Sequence, residues 1–361
     1  MDLKGLSNIP GSKSTNPSPQ AVPEFWFGLE AVMSPSTSTP CVFMFPGQGS
    51  DPSGSLLNLY RTGADTRRCI DDVFTAVEAG FSCLEPDAGI HFGELHRLLL
   101  TKSHPASLPY GLNPFGQFVA SVSLFQVLGT LGLRPHALVG HSLGEIAATV
   151  CAGSFDIAQG LQAVNALNHA CRELQGRGAM VWVAASAQDT HRLIEDSGLQ
   201  ELAIACINTA NQTVVSGPNP AIDALLALVG TNLPRRHKLD LPYMSHHPAL
   251  NREAEQFYQT LGQLPQHPLA LPVYSCVARR FYCDEDDLKR GFANCLTHPT
   301  YFPEVLDQPL IRQASLYVNV GPGDTLARCV RTVQTHATSL APLTQTPEQL
   351  NETITFLRGA Q

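Results

Sequence analysis

The chain has 361 residues, 43% of them hydrophobic, enough to bury a sizeable core in one large domain carrying a smaller inserted one. A formal net charge of −8 argues against nucleic-acid binding, which needs a basic footprint, and no apolar run approaches the ~18 residues of a membrane span. Ten cysteines without Cys-x-x-Cys pairs or metal spacing suggest free thiols. The residues after Met1 include Asp2, Lys4, Ser7 and Pro10 and form no secretory segment, so a cytoplasmic protein is expected.

Residues 1–39 are rich in Ser, Pro, Thr and Gly and read as a flexible leader, because such a segment cannot bury enough apolar surface to offset its ordering entropy. Cys41-Val42-Phe43-Met44-Phe45 is a continuous apolar run expected of a strand covered on both faces. Its exit loop, Pro46-Gly47-Gln48-Gly49-Ser50, would face the ligand crevice at the carboxyl edge of a parallel sheet. Helical patterns follow near residues 65–80 and 114–130, the second apolar enough to be largely buried.

Next comes Ala137-Leu138-Val139-Gly140-His141-Ser142-Leu143-Gly144-Glu145: a buried strand, a glycine-flanked turn carrying a serine, and the start of a helix. A serine on such an elbow is pushed to the strand tip with its hydroxyl exposed, and the amide of Leu143 can face an oxyanion. Gly-x-Ser-x-Gly arises by chance often enough that the rest of the chain must support it. His141 is expected to pack away from the cleft. A carboxylate at Glu145 is explained by the positive end of the helix. Gly153 closes the elbow helix and Asp156 caps the next, whose apolar positions include Leu161, Val164 and Leu167.

From 179 the texture changes to strand, helix, strand, strand, helix, strand, ending at Lys238–Leu241, which is the ferredoxin-like split motif. Strands at 271–276 and 316–320 and a closing helix at 346–358 complete the pattern. The fold class is therefore α/β: a parallel-sheet, α/β-hydrolase-like large domain over 40–177 and 242–361, with a ferredoxin-like subdomain inserted at 178–241. The acidic run 284–287 is read as a solvated helix start, and the basic run 235–238 as surface able to meet an acidic carrier protein.

Six segments in order carry a resemblance: Phe45 to Ser50, Gly140 to Glu145, Gly178-Ala179-Met180, Asn208 with Val214 to Gly217, Tyr243-Met244-Ser245-His246, and Val320 to Gly323. Together, over roughly residues 40–335, they resemble the malonyl-CoA:acyl carrier protein transacylase family, which includes the acyltransferase domains of polyketide and fatty-acid synthases. The resemblance implies that Ser142 is the nucleophile and His246 the general base, with the amides of Gln48 and Leu143 forming the oxyanion hole. It also implies that a main-chain carbonyl orients the histidine, and local alignment places that carbonyl at Cys295. His246 is preferred over His247 because Tyr-x-Ser-His is the family's form of the motif. Asn208, Tyr243 and Ser245 fall in the substrate pocket. Acyl-CoA and an acyl carrier protein are the implied partners, with no metal or nicotinamide cofactor, no nucleic acid and no membrane.

One departure is informative. Family members that take malonyl groups carry an arginine twenty-five residues after the nucleophile, and here that position is Leu167. Leucine cannot pair with a substrate carboxylate, so an acyl group without a free carboxylate is expected. The sequence leaves open transfer to a carrier protein, hydrolysis of acyl carrier proteins, residual malonyl transfer, and a catalytically silent docking module. A generic α/β-hydrolase esterase would share the elbow but leaves the Phe45 loop and Val320 to Gly323 unexplained.

Overall fold

The computed structural model describes residues 40–84, 89–102, 108–228 and 233–359. The leader expected at 1–39 lies outside them. Their strands, in chain order, are β1 Cys41–Phe45, β2 Ala137–Gly140, β3 Gly178–Val183, β4 Ala203–Thr209, β5 Gln212–Pro218, β6 Arg236–Lys238, β7 Val273–Ser275, β8 Arg280–Phe281, β9 Thr300–Tyr301, β10 Leu316–Asn319 and β11 Thr338–Leu340.

The larger sheet runs β11-β10-β1-β2-β7-β8. Its strands are parallel except β8, which turns back against β7. Every residue of β1 and β2 is buried, as continuous apolar runs require when helices cover both faces. The period of two sends Phe43 and Phe45 to one face, where both pack on Phe125 of the Leu112–Thr130 helix. Val42 and Met44 point to the other face and join a cluster with Tyr274, Phe302 and Tyr317. The Leu112–Thr130 helix is buried nearly all round, which explains its lack of a polar face. A Cβ on Gly160 would run into the ring of Phe118, so the Ile157–Cys171 helix lies unusually close to it.

The second sheet runs β6-β3-β5-β4-β9. The β3 to β6 segment has the expected strand, helix, strand, strand, helix, strand order, although its last strand is Arg236–Lys238, inside the basic run, rather than Lys238–Leu241; the Ala187–Asp196 and Asn219–Ala227 helices pack on one face. β9 adds an edge strand parallel to β4 from far down the chain, which the sequence reading did not foresee. The other face of this sheet carries Met180, Cys206 and Val214, with Trp182, Leu239 and Leu241 packed against them. No helix is needed there, because this face forms one wall of the cleft against the large sheet.

β1 and β2 are adjacent and parallel, so the loop leaving β1 and the elbow leaving β2 emerge side by side at the carboxyl edge. Asp287 caps the Leu288–Thr297 helix through Lys289 and Arg290 N–H groups, while Asp286 pairs with Arg280. The acidic run is thus a helix start with one committed ion pair. No helix among the described residues is long and apolar enough to cross a membrane.

Candidate active site

Sterics fix the elbow first. A Cβ on Gly140 would lie 2.6 Å from Glu145 Cγ, and one on Gly144 would overlap the Phe45 carbonyl. Only glycine admits this close approach of strand, helix and first loop. Ser142 between them takes φ 56°, a left-handed conformation that a non-glycine residue adopts at a cost of order 1–3 kcal/mol. Gly47 serves the same purpose from the other side: its Cβ would stand 2.9 Å from Ser142 Cβ and 3.0 Å from the His141 carbonyl. The Pro46–Ser50 loop therefore rests directly on the serine.

Opposite lies His246, 2% exposed and itself left-handed at φ 55°. Its Nε2 is 2.8 Å from Ser142 Oγ. Its Nδ1 is 2.8 Å from the carbonyl oxygen of His298. A carbonyl only accepts, so Nδ1 carries the proton and Nε2 is left to accept from the serine hydroxyl. Burial pushes the pKa of the imidazole down to about 4, which keeps the ring neutral, with Nε2 unprotonated, at physiological pH.

The orienting carbonyl is not that of Cys295, where sequence alignment put it. Cys295 lies inside the Leu288–Thr297 helix, where carbonyls run along the axis toward the next turn. His298 is the C-cap, in extended conformation at φ −109° and ψ 146°, and releases its carbonyl sideways. Pro299 enforces this, since the residue before a proline is driven out of the helical region. Cys295 contributes its thiol to the cavity wall instead, 3.9 Å from the Ser142 carbonyl. His247 faces away from the serine: Nδ1 accepts from Ala249 N–H and Nε2 donates to the Glu201 carbonyl.

Around this pair is a cavity of about 520 Å³ between the two sheets. Gln48, Leu143, Leu167, Asn208, Tyr243 and Ser245 all line it, together with Ser142 and His246. Tyr243 is buried and donates its hydroxyl to Gln48 Oε1 at 3.0 Å, tying the first loop to the segment that carries His246. Ser245 N–H donates to Ser216 Oγ. Leu167 is 6% exposed and shares its wall with Ile146, Phe257, Phe292 and Leu296. The cationic side chain in the lining, Arg328, is solvent-exposed and bound to Asp324 at 3.2 Å, so the Leu167 wall is apolar.

Two residues depart from expectation. His141 does not pack away from the cleft. It lines the cavity, with Nε2 3.1 Å from Thr300 Oγ1 on β9, so its ring bridges the two sheets. Burial lowers its pKa to about 4, leaving it neutral. Asn208 Oδ1 is buried without a partner among the described residues and faces the cavity, an acceptor suited to an N–H of a bound molecule. Glu145 is more than a helix-end charge. It is fully buried and accepts from Ser275 Oγ and Tyr282 OH, each at 2.6 Å. Those donors lie 130 and 137 positions along the chain, beyond the reach of local sequence pattern.

Comparison with known proteins identifies the family and the fold. The model of the acyl transferase domain family matches residues 42–314. A polyketide synthase of Streptomyces halstedii is 30% identical over 278 residues, 72% of this chain but only 4% of that much longer protein. The malonyl CoA-acyl carrier protein transacylase of Bacillus subtilis is 26% identical over 308 residues, covering 83% of this chain and 92% of its own. Among solved structures, a loading acyltransferase from the avermectin modular polyketide synthase superposes with a TM-score of 0.76 at 24% identity, covering 88% of this chain and all of that one. The malonyl CoA-acyl carrier protein transacylase of Coxiella burnetii superposes at 0.74 and 23% identity, covering 90% of this chain and 100% of its own. At such identity the superpositions establish the fold. With the family model covering most of its length, the chain belongs to the acyl transferase domain family.

Proposed function

We propose that this protein moves an acyl group lacking a free carboxylate from a thioester, acyl-CoA or acyl carrier protein, through an ester on Ser142 to the thiol of a carrier protein. The observation that carries the reading is the unbroken relay from Ser142 Oγ to His246 Nε2 and from Nδ1 to the His298 carbonyl, 2.8 Å at each step. Ser142 Oγ attacks the thioester carbonyl as His246 Nε2 takes its proton. The amides of Gln48 and Leu143, on the loop and helix start that flank the serine, receive the oxyanion. The imidazolium returns the proton to the departing thiolate, and the acyl ester remains. In the second half, Nε2 takes the proton of the acceptor thiol, which attacks the ester.

A neutral carbonyl behind the histidine stabilises the imidazolium less than a carboxylate would. That suffices for thioesters, since a thiol of pKa ~8.5 leaves far more readily than an amine. Asn208 Oδ1 offers an acceptor to an amide N–H of the phosphopantetheine arm common to both thioester classes. The apolar wall at Leu167 supports the choice of acyl group, because burying an unpaired carboxylate costs several kcal/mol. A carrier protein as partner is supported by the likeness, in fold, to a malonyl-transacylase solved with its type II acyl-carrier protein, with a TM-score of 0.74.

Intact-mass analysis with a panel of acyl-CoAs and acyl carrier proteins tests the reading. Acyl mass on the wild type that moves to an added carrier supports transfer. Rapid loss to water with a carrier present would make the protein an acyl hydrolase, and preferential loading of malonyl would refute the uncharged-acyl assignment.

A further inference from the structure

Glu145 lies three residues past the nucleophile and takes no part in the acyl chemistry just described. Two hydroxyls donate to its carboxylate, Ser275 Oγ to Oε1 and Tyr282 OH to Oε2, each at 2.6 Å. Each carboxylate oxygen thus accepts one hydroxyl, whereas a protonated carboxyl must itself donate and turn one of these donors away. Ser275 Oγ accepts from Ala278 N–H at 2.9 Å, which leaves its proton for Glu145. The fit has no slack, because a Cβ on Gly291 would overlap the Tyr282 hydroxyl.

The donors come from the end of β7 and the residue after β8, and Tyr282 packs on Gly291 of the Leu288–Thr297 helix, whose Cys295 thiol lies 3.9 Å from the Ser142 carbonyl. That helix ends in His298, whose carbonyl holds His246, and its Leu296 carbonyl accepts from His247 N–H at 2.8 Å. Glu145 is therefore the joint between the elbow that carries the nucleophile and the helix that orients the base. Among the described residues, the non-glycine residues with left-handed backbone are Ser142, His246 and Arg279. All three lie on segments this joint ties together, Arg279 through its N–H to the Ser275 carbonyl at 2.8 Å. Such conformations persist only where their surroundings over-determine them.

We infer that Glu145 is a positioning residue: through Ser275 and through Tyr282, which packs on Gly291, its carboxylate locks the elbow to the base-orienting helix and sets the Ser142–His246 hydrogen bond. This rests on the reading of Ser142 and His246 as nucleophile and base. The titratable groups facing Glu145 are Cys276 just after β7, Tyr282 after β8 and Cys295 on the helix. Burial pushes its carboxyl up to about 7 against the pull of the donors. Acylation of Ser142 accordingly rises with pH through about 7, a range in which His246 is already neutral.

The test is pre-steady-state acylation by 4-nitrophenyl acetate across pH 5–9, comparing wild type, Glu145→Gln and Tyr282→Phe. Glu145→Gln is expected to slow acylation about a hundredfold with KM within about twofold, and to abolish the limb near 7. Tyr282→Phe removes one donor to the charged form and is expected to move that limb to higher pH. Wild-type rates and an unmoved limb in the variants overturn the inference, and Tyr282→Phe alone decides it if Glu145→Gln does not fold. If the wild type itself is not acylated, the reading of the site falls instead. The Ser142–His246 spacing in crystals of Tyr282→Phe then decides the positioning role: a lengthened contact supports it and an unchanged one refutes it.

Discussion

Replacing Leu167 by arginine tests the acyl-group assignment at its most exposed point. The side chain is 6% exposed in a wall shared with Ile146 and Phe257, so a guanidinium placed there can reach a carboxylate entering the cavity. Two charge-assisted hydrogen bonds are worth about 1.5–3 kcal/mol each, or about 3–6 kcal/mol for a bidentate pair. Against this stands the desolvation of the guanidinium in the free enzyme, which consumes about half of the gain. A net ~2 kcal/mol is about thirtyfold in the malonyl-to-acetyl ratio of kcat/KM. The assay is competitive acylation of Ser142 with an equimolar mixture of malonyl-CoA and acetyl-CoA, read by intact mass. The variant is expected to load malonyl where the wild type loads acetyl. An unchanged ratio in a folded variant would refute the placement of the acyl group against Leu167.

Gly47→Ala forces a methyl to within 2.9 Å of Ser142 Cβ, so the first loop shifts and withdraws the Gln48 amide. Acylation is expected to fall about a hundredfold or more, as for loss of one oxyanion donor, with thermal stability changed far less. Tyr243→Phe frees the Gln48 side chain and is expected to lower kcat/KM about fivefold, a neutral hydrogen bond's worth, measured with the preferred acyl-CoA. His141 and His246 are held neutral with pKa values near 4, below the unfolded value of 6.5. The unfolded chain therefore binds more protons than the folded one between those pH values. Their contribution to stability is complete above 6.5 and is lost as pH falls toward 4, a few kcal/mol in all. Urea unfolding at pH 5 and pH 7 checks this, and His141→Asn is expected to flatten part of the slope.

What the sequence disclosed was local in origin. The all-apolar β1, the glycine spacing of the elbow and the alternation of short strands and helices after Gly178 are patterns within a few residues, and each folds as its pattern demands. Tyr-x-Ser-His likewise led to a histidine that does meet Ser142, across 104 positions. Contacts made only by tertiary packing stayed hidden. The His298 carbonyl is freed by a helix end before Pro299, a signal visible in the sequence but outweighed by local alignment to Cys295. The turn of His141 into the cleft depends on Thr300, and the burial of Glu145 depends on a hairpin more than a hundred residues away. β9 was invisible because a two-residue strand has no periodicity to read.

The most direct measurement is intact mass after brief exposure to a thioester that the wild type accepts, made on wild type, Ser142→Ala and His246→Ala. The account predicts one acyl adduct, mapped to Ser142, in the wild type, none in Ser142→Ala, and formation slowed at least a thousandfold in His246→Ala. An adduct of wild-type yield in Ser142→Ala, or wild-type rates without the imidazole, would contradict it.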